Sequence, residues 1–154
     1  MIDRNAVLVG VVLEIALLAT LGGAGTTFFR TVPRLGALLL ASLGFLGGSV
    51  AGSLTGGSRR RRAAHGGLCA SFGGFVFAIW LAYTLVADVY IGAFYGLAYA
   101  IATVGIPPTF AARYDAVLPV VFGVGSVVLY TVEGLLAGAL VPPDWIEPPP
   151  FYPS

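Results

Sequence analysis

Two carboxylates stand in the sequence where charge is costly. Glu14 lies between Leu13 and Ile15 in the middle of one apolar stretch, and Glu133 lies between Val132 and Gly134 within another. A carboxylate at the depth of a bilayer centre costs about 2.5–3.5 kcal/mol on insertion scales, so such a group is either protonated or turned toward a polar partner inside a helix bundle. Two kinds of chemistry follow. One is a place in an ion or substrate path. The other is a protonated carboxyl hydrogen-bonding a neighbouring helix, with Tyr130, Thr20 and Thr131 as the partners at hand.

No other residues assemble a reaction centre. His65 is the only histidine and Cys69 the only cysteine. Their spacing of four, without two further ligands, does not make a zinc site, and Cys69 reads as a small buried packing residue. One cysteine rules out an internal disulfide and the paired-cysteine metal and redox motifs. Neither a nucleophile–base pair nor a phosphate-cradling glycine loop is visible, because the glycine spacings fall inside apolar helices without a strand–turn–helix context. No catalytic residue, metal or cofactor is expected, and the chain is not read as an enzyme.

The composition says what must surround the carboxylates. Charged residues make up 10% of the 154 residues against 58% hydrophobic, and the mean hydropathy is +0.94. Soluble domains carry roughly 25% charged residues, so the surface of a water-soluble globule cannot be covered. A membrane-crossing helix takes about 20 apolar residues; four or five would use most of the chain and leave no room for a soluble catalytic domain. The 22 glycines are embedded among Leu, Ala, Val and Phe, whereas a disordered linker needs low hydrophobicity. A net charge of +1 argues against nucleic acid, which attracts a large basic excess.

Five spans are expected, at about 5–29, 35–54, 66–85, 90–106 and 117–141, followed by a Pro-rich tail over 142–154, with four spans as the alternative. The first stretch lacks a net positive leader and exceeds the usual signal-peptide core of about 7–15 residues, so it reads as a retained span. From Ala63 to Ile106 only Asp88 and His65 interrupt the apolar and neutral residues. One helix of that length would reach about 65 Å, roughly twice the hydrocarbon thickness, so a fold-back is placed at Val86–Val89. Pro107-Pro108 and Pro142-Pro143 stop the last two spans. The run Arg59, Arg60, Arg61, Arg62 belongs in a cytoplasmic loop, because short arginine-rich loops are held inside. With five spans Arg4 and Arg113 join it there, leaving Arg30 and Arg34 outside; with four, Arg113 moves outside. The arginines can also meet anionic headgroups or a partner.

Small residues at every fourth position mark the packing faces. Gly44, Gly48, Gly52 and Gly56 recur along the second span, and Gly66, Ala70 and Gly74 along the third. Gly92 and Gly96 do so on the fourth stretch, and Gly134 and Gly138 on the last. Between membrane helices, close backbone packing does more than apolar burial, since lipid is as apolar as leucine. The contact is either a hairpin within the chain or a homo-oligomer interface. Trp80, Tyr83, Tyr90, Phe94, Tyr95 and Tyr99 cluster around the expected outer turn, where an interfacial belt belongs. The tail Glu147-Pro148-Pro149-Pro150-Phe151-Tyr152-Pro153 favours an extended polyproline conformation.

The segment from Gly47 through Gly57, the arginines, and Ala64-His65-Gly66-Gly67-Leu68 together resemble small glycine-rich polytopic membrane proteins of halophilic archaea, a family of unknown function. The resemblance implies a helical bundle, of four spans in that family, in an archaeal cell membrane. It carries no activity, cofactor or catalytic residue. The reading from the residues is an all-α integral membrane bundle in the lipid bilayer. It serves as a structural or accessory subunit of a membrane assembly, or else as a small oligomeric transporter or channel using Glu14 and Glu133.

Overall fold

The computed structural model describes residues 3–23 and 25–142, which are helical throughout with short connections and contain no strand. Four helices are long and apolar enough to cross a membrane. They are α1 (Arg4–Gly23), the pair α3 (Pro33–Ala41) and α4 (Leu43–Thr55) running as one rod, α5 (Arg59–Ala87) and α8 (Leu118–Leu140). Shorter helices α2 (Thr26–Thr31), α6 (Phe94–Thr103) and α7 (Pro108–Arg113) occupy the connections. The expected tail from residue 143 onward lies outside the described residues.

All five apolar stretches are helical, but they differ in length. The stretch from Tyr90 to Ile106 yields only the ten residues of α6, about 15 Å at 1.5 Å per residue, half the hydrocarbon thickness. Two features shorten it. Gly92 takes a left-handed φ of 55° just before it, and Pro107 follows soon after it. α6 lies along α3, where Gly96 admits the carbonyl of Pro33 and Gly36 admits the backbone of Ala93. The fold-back falls where the length argument puts it, with α5 ending at Ala87 and Asp88 closing it at φ 53°. Asp is among the few side-chain-bearing residues that enter the left-handed region readily, which explains a turn without glycine or proline.

Contacts between the long helices fix their directions. Gly48 meets Gly134 and Gly52 meets Gly138, so α4 and α8 run parallel. Gly66 faces Gly134 and Gly138 while Gly74 faces Val127 and Tyr130, so α5 runs antiparallel to α8. Gly10 lies against Cys69 and Trp80 against Gly22, so α1 runs parallel to α5. The result is an up-down-up-down bundle. The start of α1, the arginine loop and the end of α8 share one end, as Gly138 against the Arg62 carbonyl shows directly. A fifth crossing would have carried the end of α8 to the opposite end.

Outward faces are apolar. Leu38, Phe75, Ile79, Val120 and Leu140 each stay about 60% exposed or more, and in water such contiguous apolar surface would drive association. The core joins Leu18, Leu40, Phe77, Leu81, Phe94 and Tyr130. Phe77 stacks on both Phe94 and Tyr130, and Trp80 stacks on Phe94. Phe94, expected in the interfacial belt, is therefore core. Tyr83 and Tyr99 are exposed at the end opposite the run Arg59–Arg62, and Arg30 sits 5.5 Å over the Tyr95 ring.

Candidate functional site

Glu14 sits at the eleventh residue of the twenty-residue α1, close to the middle of a span. It is 1% exposed. Its carboxyl occupies a socket made by absent side chains: an added Cβ at Gly73 would overlap the carboxyl, and one at Gly47 would stand 2.5 Å from Oε2. Cys69, fully buried, approaches Oε2 with its Sγ at 3.9 Å. Oε1 is buried without a hydrogen-bond partner.

Glu133 reaches the same turn of α4 from α8. Its Oε2 lies 3.0 Å from where a Cβ of Gly44 would be and is likewise buried without a partner, although the residue as a whole is half-buried. Gly44 and Gly47 are three residues apart and therefore share a helix face, so the two carboxyls flank one turn of α4. Tyr130 backs this turn from α8, packing against Gly44 of α4 and Gly74 of α5. The structure pairs these groups because α1 and α8 run antiparallel, the start of one and the end of the other lying at a shared end.

The expected polar partners are engaged elsewhere. The Tyr130 hydroxyl donates to the Leu40 carbonyl at 2.5 Å. That carbonyl lies in the last turn of α3, where the rod is interrupted at Ser42 with φ −94° and ψ 0°. Thr20 donates back to the Ala16 carbonyl. Thr131 donates to the Val127 carbonyl and pairs with Ser71 across α5 and α8 at 2.9 Å. Cys69, read as a packing residue, is both that and a polar neighbour of Glu14.

The remaining candidates fall into three groups. Gly44, Gly48, Gly52, Gly66, Ala70, Gly74, Gly134 and Gly138 form the seam between α4, α5 and α8. Gly56 does not belong to it: it caps α4 at φ 60° with open space around it. Gly92 packs on the Leu21 and Gly22 carbonyls from a turn rather than from a long helix, and its N–H donates a hydrogen bond to Thr26 Oγ1. Gly47 and Gly73 escaped the every-fourth-residue reading, yet their signal was present as the doublets Gly47-Gly48 and Gly73-Gly74. Adjacent helix positions point about 100° apart, so one glycine of each doublet serves α8 and the other serves Glu14.

At the arginine end, Arg59, Arg60 and Arg61 are exposed, while Arg62 turns back to donate to the Gly57 carbonyl. Ser58 caps α5 through the Arg61 N–H. His65 is buried; its Nε2 accepts from the Asp3 N–H at 2.8 Å, so its Nδ1 carries the proton donated to the Arg61 carbonyl. This tautomer ties the start of α1, which Asp3 caps through the Asn5 and Ala6 N–H groups, to the first turns of α5. Among the described residues, no three His, Cys, Asp or Glu side chains converge on a metal position.

Fold and site together define an all-α bundle with four helices suited to crossing a membrane and an acidic pair enclosed between them. No family model, curated protein or solved structure matches the chain.

Proposed function

We propose that this chain is a multi-pass protein of the cell membrane that acts as a structural or accessory subunit of a larger membrane assembly, with its arginine loop in the cytoplasm. One observation carries this reading. The central helices α4, α5 and α8 meet backbone to backbone, with Gly48 on Gly134, Gly52 on Gly138 and Gly66 on the carbonyls of Gly48 and Gly134, so the seam is closed at these levels. A bundle sealed in this way has its outer faces to offer, and those faces are apolar. Five arginines, Arg4 and Arg59 to Arg62, lie at one end against Arg30, Arg34 and Arg113 at the other, and the excess favours the first end inside. The archaeal resemblance is compatible with this placement.

Purification from native membranes in mild detergent tests the role. A stoichiometric partner protein is the expected result; a clean homo-oligomer, or a monomer free of any partner, contradicts it.

A second reading, a small oligomeric transporter, draws on the pairing of Glu14 with Glu133 across one turn of α4. It predicts ion flux into proteoliposomes that Glu14→Gln and Glu133→Gln each abolish. Flux equal to that of empty vesicles, or unchanged in both variants, removes it.

A further inference from the structure

Glu14 is not an incidental polar residue in a packed core. Its carboxyl fills space that α4 and α5 leave open by presenting glycine, and at Gly73 even a methyl group would collide with it. Two oxygens, Oε1 of Glu14 and Oε2 of Glu133, are buried at the same level without partners. A buried polar atom without a partner costs about 1–3 kcal/mol, more when charged, so each carboxyl favours a state in which its charge is neutralised.

The surroundings decide which ligand. Facing the pair, α4 contributes no ionisable side chain at all between Leu43 and Thr55. From α5 comes Cys69, and from α8 Tyr130, whose proton is already given to the Leu40 carbonyl. The cations of the chain stand at the bundle ends; the nearest on α1, Arg4, is ten residues from Glu14, about 15 Å along the helix. A hydrated metal ion needs a cage of several oxygen ligands, and backbone contacts fill the seam. A proton needs no cavity; each proton bound neutralises one carboxyl and turns one of its oxygens into a donor.

We propose that Glu14 and Glu133 form one coupled proton-binding site, whose occupancy decides whether α1 stays seated on the glycine faces of α4 and α5. The proton is bound as the carboxyl O–H and leaves to water as the site empties. An emptied site holds carboxylate charge in a socket without counter-ions, and the group free to leave that socket is Glu14, carried out by α1. Cys69 reports the movement: it is fully buried under α1, against Gly10 and Glu14. The inference goes beyond the accessory role and rests on neither reading of what the protein does.

Infrared difference spectroscopy of the full chain in proteoliposomes, recorded across a pH series, tests the site. The expected result is a carbonyl band of protonated carboxylic acid that loses one component in Glu14→Gln and another in Glu133→Gln, with the surviving component titrating at a shifted pH in each. Two components that keep their wild-type pH dependence, or no protonated-carboxyl band from either residue, overturn the coupled site. Should one variant fail to insert, the other reads the same coupling from the opposite side. Alkylation of Cys69 by a membrane-permeant maleimide tests the movement separately. Its rate should rise with pH several-fold more steeply in wild type than in Glu14→Gln, which cannot empty; parallel pH profiles overturn the release of α1.

Discussion

At the scale of single residues, the molecule is organised around what glycine leaves out. Gly73 and Gly47 make room for a carboxyl, and the fit yields a sign that ordinary packing would not. Gly73→Ala should destabilise the bundle in detergent by about 1–3 kcal/mol, the usual cost of overpacking. In a Glu14→Ala background most of that cost should disappear, because the group the methyl collides with is gone. A thermal or denaturant unfolding series on the four proteins of this cycle measures the coupling, and additive losses would show that the socket is not built for Glu14. Tyr130→Phe should cost less, about 0.6–1.7 kcal/mol, the range of hydrogen bonds between membrane helices, since it removes only the donor to Leu40. Glu14 and Glu133 were legible in the sequence as exceptions to an apolar pattern. Their neighbours were less so. Tyr130 and Thr131 could be named as partners from proximity in the chain, but a helix interruption at Ser42 drew the Tyr130 hydroxyl to a backbone carbonyl, and interruptions of that kind leave no residue signature here: neither glycine nor proline marks Ser42.

At the scale of helices, periodicity shows which faces pack, while tertiary geometry decides how long each helix runs. The row Gly44, Gly48, Gly52 lies against α8 because all three share one face, and Gly56, one step further, is spent on ending the helix at positive φ. Gly48→Leu and Gly52→Leu should each separate α4 from α8 and lower the unfolding midpoint sharply. Gly125→Ala on α8, where nothing lies within 4 Å, should be neutral or slightly stabilising, since alanine favours helix over glycine. Equal losses at Gly52 and Gly125 would mean that the seam is not where the bundle holds together. The length of α6 was the part least open to sequence reasoning. Its composition is as apolar as that of a span, yet it runs for only ten residues and docks through Gly96 and Ala93 on α3, a contact between segments about sixty residues apart.

At the scale of the whole molecule, the even number of long helices has a geometric consequence. It brings the start of α1, the loop from Gly56 to Arg62 and the end of α8 to one end, and by doing so sets Glu14 and Glu133 at one depth. The class of fold followed from composition, because so few charges cannot clothe a soluble surface. The side on which the chain finishes did not follow, because under the arginine count it turned on Arg113 alone. Single cysteines introduced at Ser58, Ala116 and Pro142 in a Cys69→Ala background, probed with a membrane-impermeant maleimide in intact and opened cells, decide it most directly. Four crossings predict that Ser58→Cys and Pro142→Cys react only after the cells are opened, while Ala116→Cys reacts from outside. Labelling of Pro142→Cys from outside while Ser58→Cys stays protected would mean five crossings, and would contradict the bundle, the pairing of the carboxyls and the site built on them.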